Sequence, residues 1–123
     1  MKTVLVIEDD ENNMELITVI LELEGYQVIK AETGLKGFEL AEEKLPDFII
    51  LDIQLPDMNG LEVLKRIRSS KADGTTPVIA MTSFAMSGDR EKLLAEGCNG
   101  YIEKPIDPDK VMEQIQFVLD KNC

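Results

Sequence analysis

The stretch Ile49-Ile50-Leu51-Asp52-Ile53-Gln54-Leu55-Pro56-Asp57-Met58-Asn59-Gly60 decides the fold. Its first half is an apolar run that follows Pro46-Asp47, is too short for a helix and carries no polar position before Asp52. Such a run reads as a strand buried on both faces, as in a parallel sheet. Pro-Asp and Asn-Gly then supply turn chemistry, so Asp52 is predicted at the carboxyl end of a buried strand where it opens into a loop. In open α/β sheets that edge is where ligands bind. An Asp in this position can equally cap a helix or form a turn, and the rest of the chain decides between the readings.

Upstream, Val4-Leu5-Val6-Ile7 is a second strand-length run that ends in acid, Glu8-Asp9-Asp10. Asn12 followed by Glu15 predicts a helix start, and Met14, Ile17 and Leu21 supply its apolar stripe up to the Gly25 stop. Residues 26–31 form a shorter, more polar strand suited to a sheet edge. Thr33 caps a helix with Leu35, Phe38, Ala41 and Leu45, closed by Pro46. Downstream, Asn59 with Glu62 caps a third helix carrying Leu61, Leu64 and Ile67, and residues 69–76 form a loop. Residues 77–81 are a fourth strand ending in Thr82-Ser83, and 84–97 a loop and helix of weak pattern, the least firmly packed segment expected. Residues 100–103 are a fifth strand ending in Lys104-Pro105, and Asp107-Pro108 opens a helix with Val111, Ile115 and Val118.

Five strand-then-helix units require right-handed crossovers and a parallel sheet covered on both faces. The predicted fold is therefore a flavodoxin-like (βα)5 three-layer sandwich of strand order 2-1-3-4-5, a single domain over residues 1–123. Its switch point lies between the first and third strands, the two that end in Glu8-Asp9-Asp10 and Asp52.

Composition narrows the function. Thirteen Lys+Arg against 24 Asp+Glu give a net charge of −11, which argues against nucleic acid or an anionic membrane as partner and favours a basic protein surface or a cation. Cys98 and Cys123 imply no disulfide framework and read as incidental, in a reduced cytoplasm. No signal peptide or membrane-length run is expected from the sequence. Without a single His, imidazole is unavailable as base, ligand or phosphocarrier.

With this topology Asp9, Asp52 and either Glu8 or Asp10 converge, Asp10 being otherwise a helix cap. Two carboxylates about 4 Å apart repel by about 4 kcal/mol at an effective dielectric near 20, so a shared proton, a lysine or a divalent cation must compensate. Hard oxygen ligands point to Mg²⁺, and Lys104 places one fixed positive charge on the same edge. A carboxylate so held, with the Thr82 hydroxyl nearby, suits acceptance of a phosphoryl group, whose three oxygens need neutralising.

Four motifs in order, Val-Ile-Glu-Asp-Asp, Leu-Asp-Ile-Gln-Leu-Pro-Asp-Met-Asn-Gly, Ala-Met-Thr-Ser-Phe-Ala and Gly-Tyr-Ile-Glu-Lys-Pro-Ile, resemble the receiver domains of two-component response regulators along the whole chain. The likeness is strongest to stand-alone, single-domain receivers of the DivK type. It implies that Asp52 accepts a phosphoryl group from a sensor histidine kinase or histidine phosphotransfer protein, with Asp9, Asp52 and the Gln54 backbone carbonyl on Mg²⁺ and Glu8 acting through water. It further implies that Thr82 and Lys104 hold the phosphoryl oxygens, that Thr82 and Tyr101 form the switch, and that the Lys104–Pro105 bond is cis. Output would pass to a downstream protein through the fourth helix, fifth strand and fifth helix, from a monomer or weak dimer. Gln54 and Phe84 flank the path of a hydrolytic water, and a Phe there should exclude it, so self-dephosphorylation is expected to be slow.

Rival readings fit less well. An aspartyl phosphatase of the haloacid dehalogenase kind needs an acid two residues beyond the nucleophile, where this chain has Gln54. A flavin or nucleotide carrier needs a Gly- or Ser/Thr-rich phosphate loop after the first strand, where this chain has Glu8-Asp9-Asp10-Glu11. A degenerate receiver, a binding module whose phosphosite goes unused, is disfavoured because all the matched positions are intact. No turnover of an external substrate is expected.

Overall fold

A computed structural model of the chain describes residues 2–70, 75–83 and 87–121. Five strands alternate with five helices: β1 (Thr3–Ile7), α1 (Glu11–Leu23), β2 (Gln27–Ala31), α2 (Gly34–Lys44), β3 (Phe48–Asp52), α3 (Gly60–Ser69), β4 (Val78–Thr82), α4 (Ser87–Ala95), β5 (Gly100–Glu103) and α5 (Val111–Lys121). All strands pair in parallel, in the order β2-β1-β3-β4-β5. This is the order expected from the sequence.

The alternation of side chains along each strand divides the core in two. Val4, Val6, Phe48, Ile50, Ile79 and Met81 face α1 and α5 and pack on Met14, Ile17, Leu21, Val111 and Ile115. Leu5, Ile7, Ile49, Leu51, Val78 and Ala80 point the other way, onto Ala41, Val63, Leu64, Ile67 and Leu93 of α2, α3 and α4. Every residue of β3 and β4 is buried, as the uninterrupted apolar runs require, and each fully buried Ile or Leu contributes roughly 2 kcal/mol. β2, more polar and partly exposed, lies at the sheet edge.

Helix starts follow local hydrogen bonding with one departure from expectation. Thr33 and Asn59 cap α2 and α3 through Lys36 N and Leu61 N. For α1 the cap is Asp10, not Asn12: Asp10 Oδ1 accepts from Asn12 N at 2.8 Å and Asn13 N at 3.0 Å. Asp10 holds extended backbone at φ −81 and ψ 119 directly ahead of the helix, and its carboxylate takes two of the amides that the first turn leaves without partners. At the last helix Asp107 caps as expected: its Oδ1 accepts from Asp109 N at 3.0 Å and its carbonyl from Val111 N at 2.9 Å, so Pro108 lies in the turn that leads into α5.

At the end of the sheet away from the acids, Arg68 of α3 donates to Gly97 O, Thr76 O and Asn99 Oδ1 at 2.9, 2.7 and 2.7 Å. These bonds fasten the turn between α4 and β5. Cys98 is buried there, its thiol pushed up by desolvation. Among the described residues, no helix is long and apolar enough to cross a membrane. Phe84 and Cys123 lie outside the described residues.

Candidate functional site

The site forms where β1 and β3, neighbours in the middle of the sheet, run out at their carboxyl ends. Ile7 pairs with Leu51, so the residues that follow each, Glu8 and Asp52, emerge side by side. Glu8 N donates to Ala31 O at 2.9 Å, continuing the β1–β2 ladder one residue further and turning Glu8 inward, fully buried. Asp9 next to it points to solvent. Carboxylate oxygens of Glu8, Asp9 and Asp52 nevertheless lie within 4.8 Å of one another.

Lys104, just past β5, closes the group. Its backbone N donates to Thr82 O at 2.9 Å, and its Nζ lies 3.0 Å from Asp52 Oδ2 and 3.1 Å from Glu8 Oε1. The Lys104–Pro105 peptide bond is cis. Asp52, 1% exposed, also accepts from the Gln54 amide through Oδ1 at 3.0 Å. Glu8 Oε1 meets the lysine charge but, among the described residues, has no aligned hydrogen-bond donor.

The three groups divide the electrostatics unequally. Burial first, then the hydrogen bond and charge of Asp52, push Glu8 up to about 7. Burial would raise Asp52 too, but the hydrogen bonds from Glu8, the Gln54 amide and Lys104 outweigh it and hold Asp52 below its ordinary value. Lys104 is desolvated as well, yet its two carboxylate partners carry it above the usual lysine value. Near neutrality, then, Asp52 is an anion, Lys104 a cation, and Glu8 an acid with a proton to lose.

Thr82 ends β4 one residue beyond Met81, the partner of Asp52 across the sheet, and is buried. It lines a cavity of about 420 Å³ with Ile53, Gln54, Asn59, Lys92 and Leu93. Gln54 is exposed, at the start of the loop from β3 to α3. Tyr101 on β5 is half-buried against the α4 side of the sheet and lines a surface groove with Leu94 and Phe117. Sequence reasoning treated Asp57 only as a turn former and passed over Lys92. Asp57 binds the N-terminus of α2, a contact between segments 23 residues apart that leaves no local trace.

Geometry of this kind has relatives. A family model described as the response regulator receiver domain matches residues 4–116. The polar-differentiation response regulator DivK of Brucella ovis is 43% identical over 118 residues, 96% of this chain and 96% of its own. Among solved structures, the chemotaxis response regulator CheY4 of Vibrio cholerae superposes with a TM-score of 0.91 at 27% identity, covering 96% of this chain and 98% of that one. The receiver domain of the sensor histidine kinase PA1611 from Pseudomonas aeruginosa PAO1, crystallised with a magnesium ion in its active-site cleft, superposes with a TM-score of 0.87 at 30% identity, covering 97% and 98%. With its acidic strand ends, its lysine after β5 and its 2-1-3-4-5 sheet, the chain belongs to the response regulator receiver domain family.

Proposed function

We propose that this receiver accepts a phosphoryl group on Asp52 from the phosphohistidine of a sensor histidine kinase or a histidine phosphotransfer protein, and signals by contact with a downstream protein. The observation that carries the reading is the placement of Asp52: buried at the end of β3, held anionic, and 3.0 Å from the Lys104 ammonium. In the transfer an Asp52 carboxylate oxygen forms the new O–P bond while the P–N bond to the donor imidazole breaks, its electron pair leaving with the imidazole. Lys104 and Thr82 then hold phosphoryl oxygens. Without them the charge on those oxygens would meet Glu8 and Asp9 directly.

The residues present suit Mg²⁺. Glu8, Asp9 and Asp52 offer only oxygen, the chain has no His, and Glu8 Oε1, without an aligned donor among the described residues, has room for a hydrogen bond from coordinated water. Asp9, Asp52 and the Gln54 carbonyl would hold the ion, with Glu8 acting through water. The bound cation would neutralise the charge that three acids and an incoming phosphoryl group bring together. The related PA1611 receiver, with magnesium in its cleft, supports the choice of metal.

For output, Thr82 turns toward the phosphoryl group and Tyr101 follows into the space it leaves, shifting populations of α4, β5 and α5. That face carries a groove of about 810 Å³ and Phe117, 69% exposed, an apolar anchor for a protein partner. The net charge of −11 argues against nucleic acid and anionic membrane as direct partners, and the protein works in the cytoplasm as a monomer or weak dimer, without turning over an external substrate. Gln54 and Phe84 tune a slow self-dephosphorylation.

Phosphotransfer tests this reading. Label on the histidine of a phosphorylated kinase or phosphotransfer domain should pass to the wild type and not to Asp52→Asn. Equal labelling of both proteins would place the acceptor elsewhere.

A further inference from the structure

Helix α2 opens with amides that have no partners inside the helix. Thr33 takes one of them, accepting from Lys36 N at 3.2 Å. The other two are taken from a different segment: Asp57, in the loop that follows Asp52, accepts from Gly34 N at 2.7 Å through Oδ1 and from Leu35 N at 3.0 Å through Oδ2. Met58 lies directly over Gly34, where an added Cβ would fall 2.6 Å from Met58 Cγ. A side chain there would have to push the Met58 and Val63 side chains aside.

The same loop is fixed at its ends to the phosphoacceptor. Gln54 N donates to Asp52 Oδ1, Ile53 N to Met81 O at 3.1 Å, and Gly60 N back to Ile53 O at 2.9 Å, while Gln54 and Asn59 form a bridge across the loop. Between those ends the Asp57 side chain hydrogen-bonds to another helix, at the first two amides of α2. We infer that Asp57 is a positioning residue for the phosphoacceptor loop: by holding the first two amides of α2 it fixes residues 53–59, and with them the Gln54 carbonyl, for cation binding. The inference rests on the Mg²⁺-dependent reading given above.

A merely structural role predicts something else. The Leu35 amide is near solvent, where water can replace Asp57, while the Gly34 amide is part-buried, so such a role predicts a loss of stability and nothing at the cation site. Positioning predicts a loss at a site that Asp57 does not touch, and linkage makes the effect reciprocal: ion binding must be felt at the α2 amides. Asp47 is the matched control, a carboxylate that accepts from Thr3 N at 2.7 Å at the opposite end of the sheet.

The experiment is a Mg²⁺ titration of wild type, Asp57→Ala, Asp57→Asn and Asp47→Ala followed by amide NMR, with thermal unfolding of each. In the wild type, the Gly34 and Leu35 resonances should shift with the same midpoint as that of Gln54. Asp57→Ala should bind Mg²⁺ about 3- to 10-fold more weakly, below the 10- to 100-fold effect of groups that directly orient ligands, and its α2 amides should no longer respond. Asp57→Asn, which keeps one acceptor, should fall between, and Asp47→Ala should bind as the wild type. Wild-type affinity and α2 response in a folded Asp57→Ala would overturn the inference and leave the phosphoacceptor reading intact. A wild type that binds no Mg²⁺ would overturn both.

Discussion

Replacing Glu8 by Gln should remove a pH dependence of stability from the metal-free protein. The Glu8 carboxyl titrates near its ordinary 4.5 in the unfolded chain and at about 7 in the folded one, raised first by burial and then by Asp52. Between these values unfolding releases a proton, so stability from this group is fully present below 4.5 and is lost as pH rises through 7. The difference, at about 1.4 kcal/mol per pH unit, amounts to about 3 kcal/mol. Asp52 works in the opposite sense and in a lower window: held below 3.8, it stabilises above that pH, and the contribution is lost as pH falls through its folded value. The net charge of −11 also weakens the fold at high pH, but the background is shared by both proteins apart from the Glu8 charge itself, so the wild-type minus Glu8→Gln difference isolates the carboxyl. Urea unfolding in EDTA across this range should show the difference falling by about 3 kcal/mol toward alkaline pH. Saturating Mg²⁺ should flatten it, because a cation favours the ionised form. Parallel stability curves for the two proteins in EDTA would refute the assignment of the proton to Glu8.

Other perturbations follow from the same contacts. Lys104→Met removes the ammonium at 3.0 and 3.1 Å from two buried carboxylates and should destabilise the metal-free protein by about 3 kcal/mol at alkaline pH and less at pH 5, where Glu8 takes up a proton; a loss independent of pH in urea unfolding would contradict this. Gly60→Ala sets a Cβ 2.5 Å from Ile53 Cα and 2.7 Å from Asp52 O, backbone atoms that cannot swing aside, so it should cost about 2 kcal/mol and depress phosphorylation; a variant of wild-type stability and activity would show the approach to be looser. Leu45→Gly should stabilise by about 0.5 kcal/mol, since Leu45 ends α2 at φ 47 with its side chain largely exposed, and thermal unfolding at unchanged or lower temperature would count against the left-handed cap as a source of strain.

How far the sequence could be read depended on whether the signal was local. The apolar runs at 4–7, 49–51 and 78–81 name the central strands because no polar residue can sit on either face of a covered parallel sheet, and the polar character of 27–31 names the edge. Capping residues located α2 and α3, but at α1 two candidates stood within three residues, and backbone geometry chose Asp10 over Asn12. In the site, topology brought Asp52, the first acidic cluster and Lys104 to one edge. Which acid of Glu8-Asp9-Asp10 turns inward was not legible, because it depends on the β1–β2 ladder extending to Glu8 N. Asp57 escaped for a related reason: its partners belong to another helix, and a Pro-Asp in a turn looks the same with or without them.

The central claim is that Asp52 accepts a phosphoryl group with the help of a divalent cation. Intact-mass spectrometry of wild type and Asp52→Asn after phosphoramidate treatment, with Mg²⁺ and with EDTA, tests it most directly. One added phosphoryl group is expected in the wild type with Mg²⁺, none with EDTA, and none in Asp52→Asn. No addition to the wild type, or equal addition to the variant, would contradict it and leave the acidic edge as a binding surface alone.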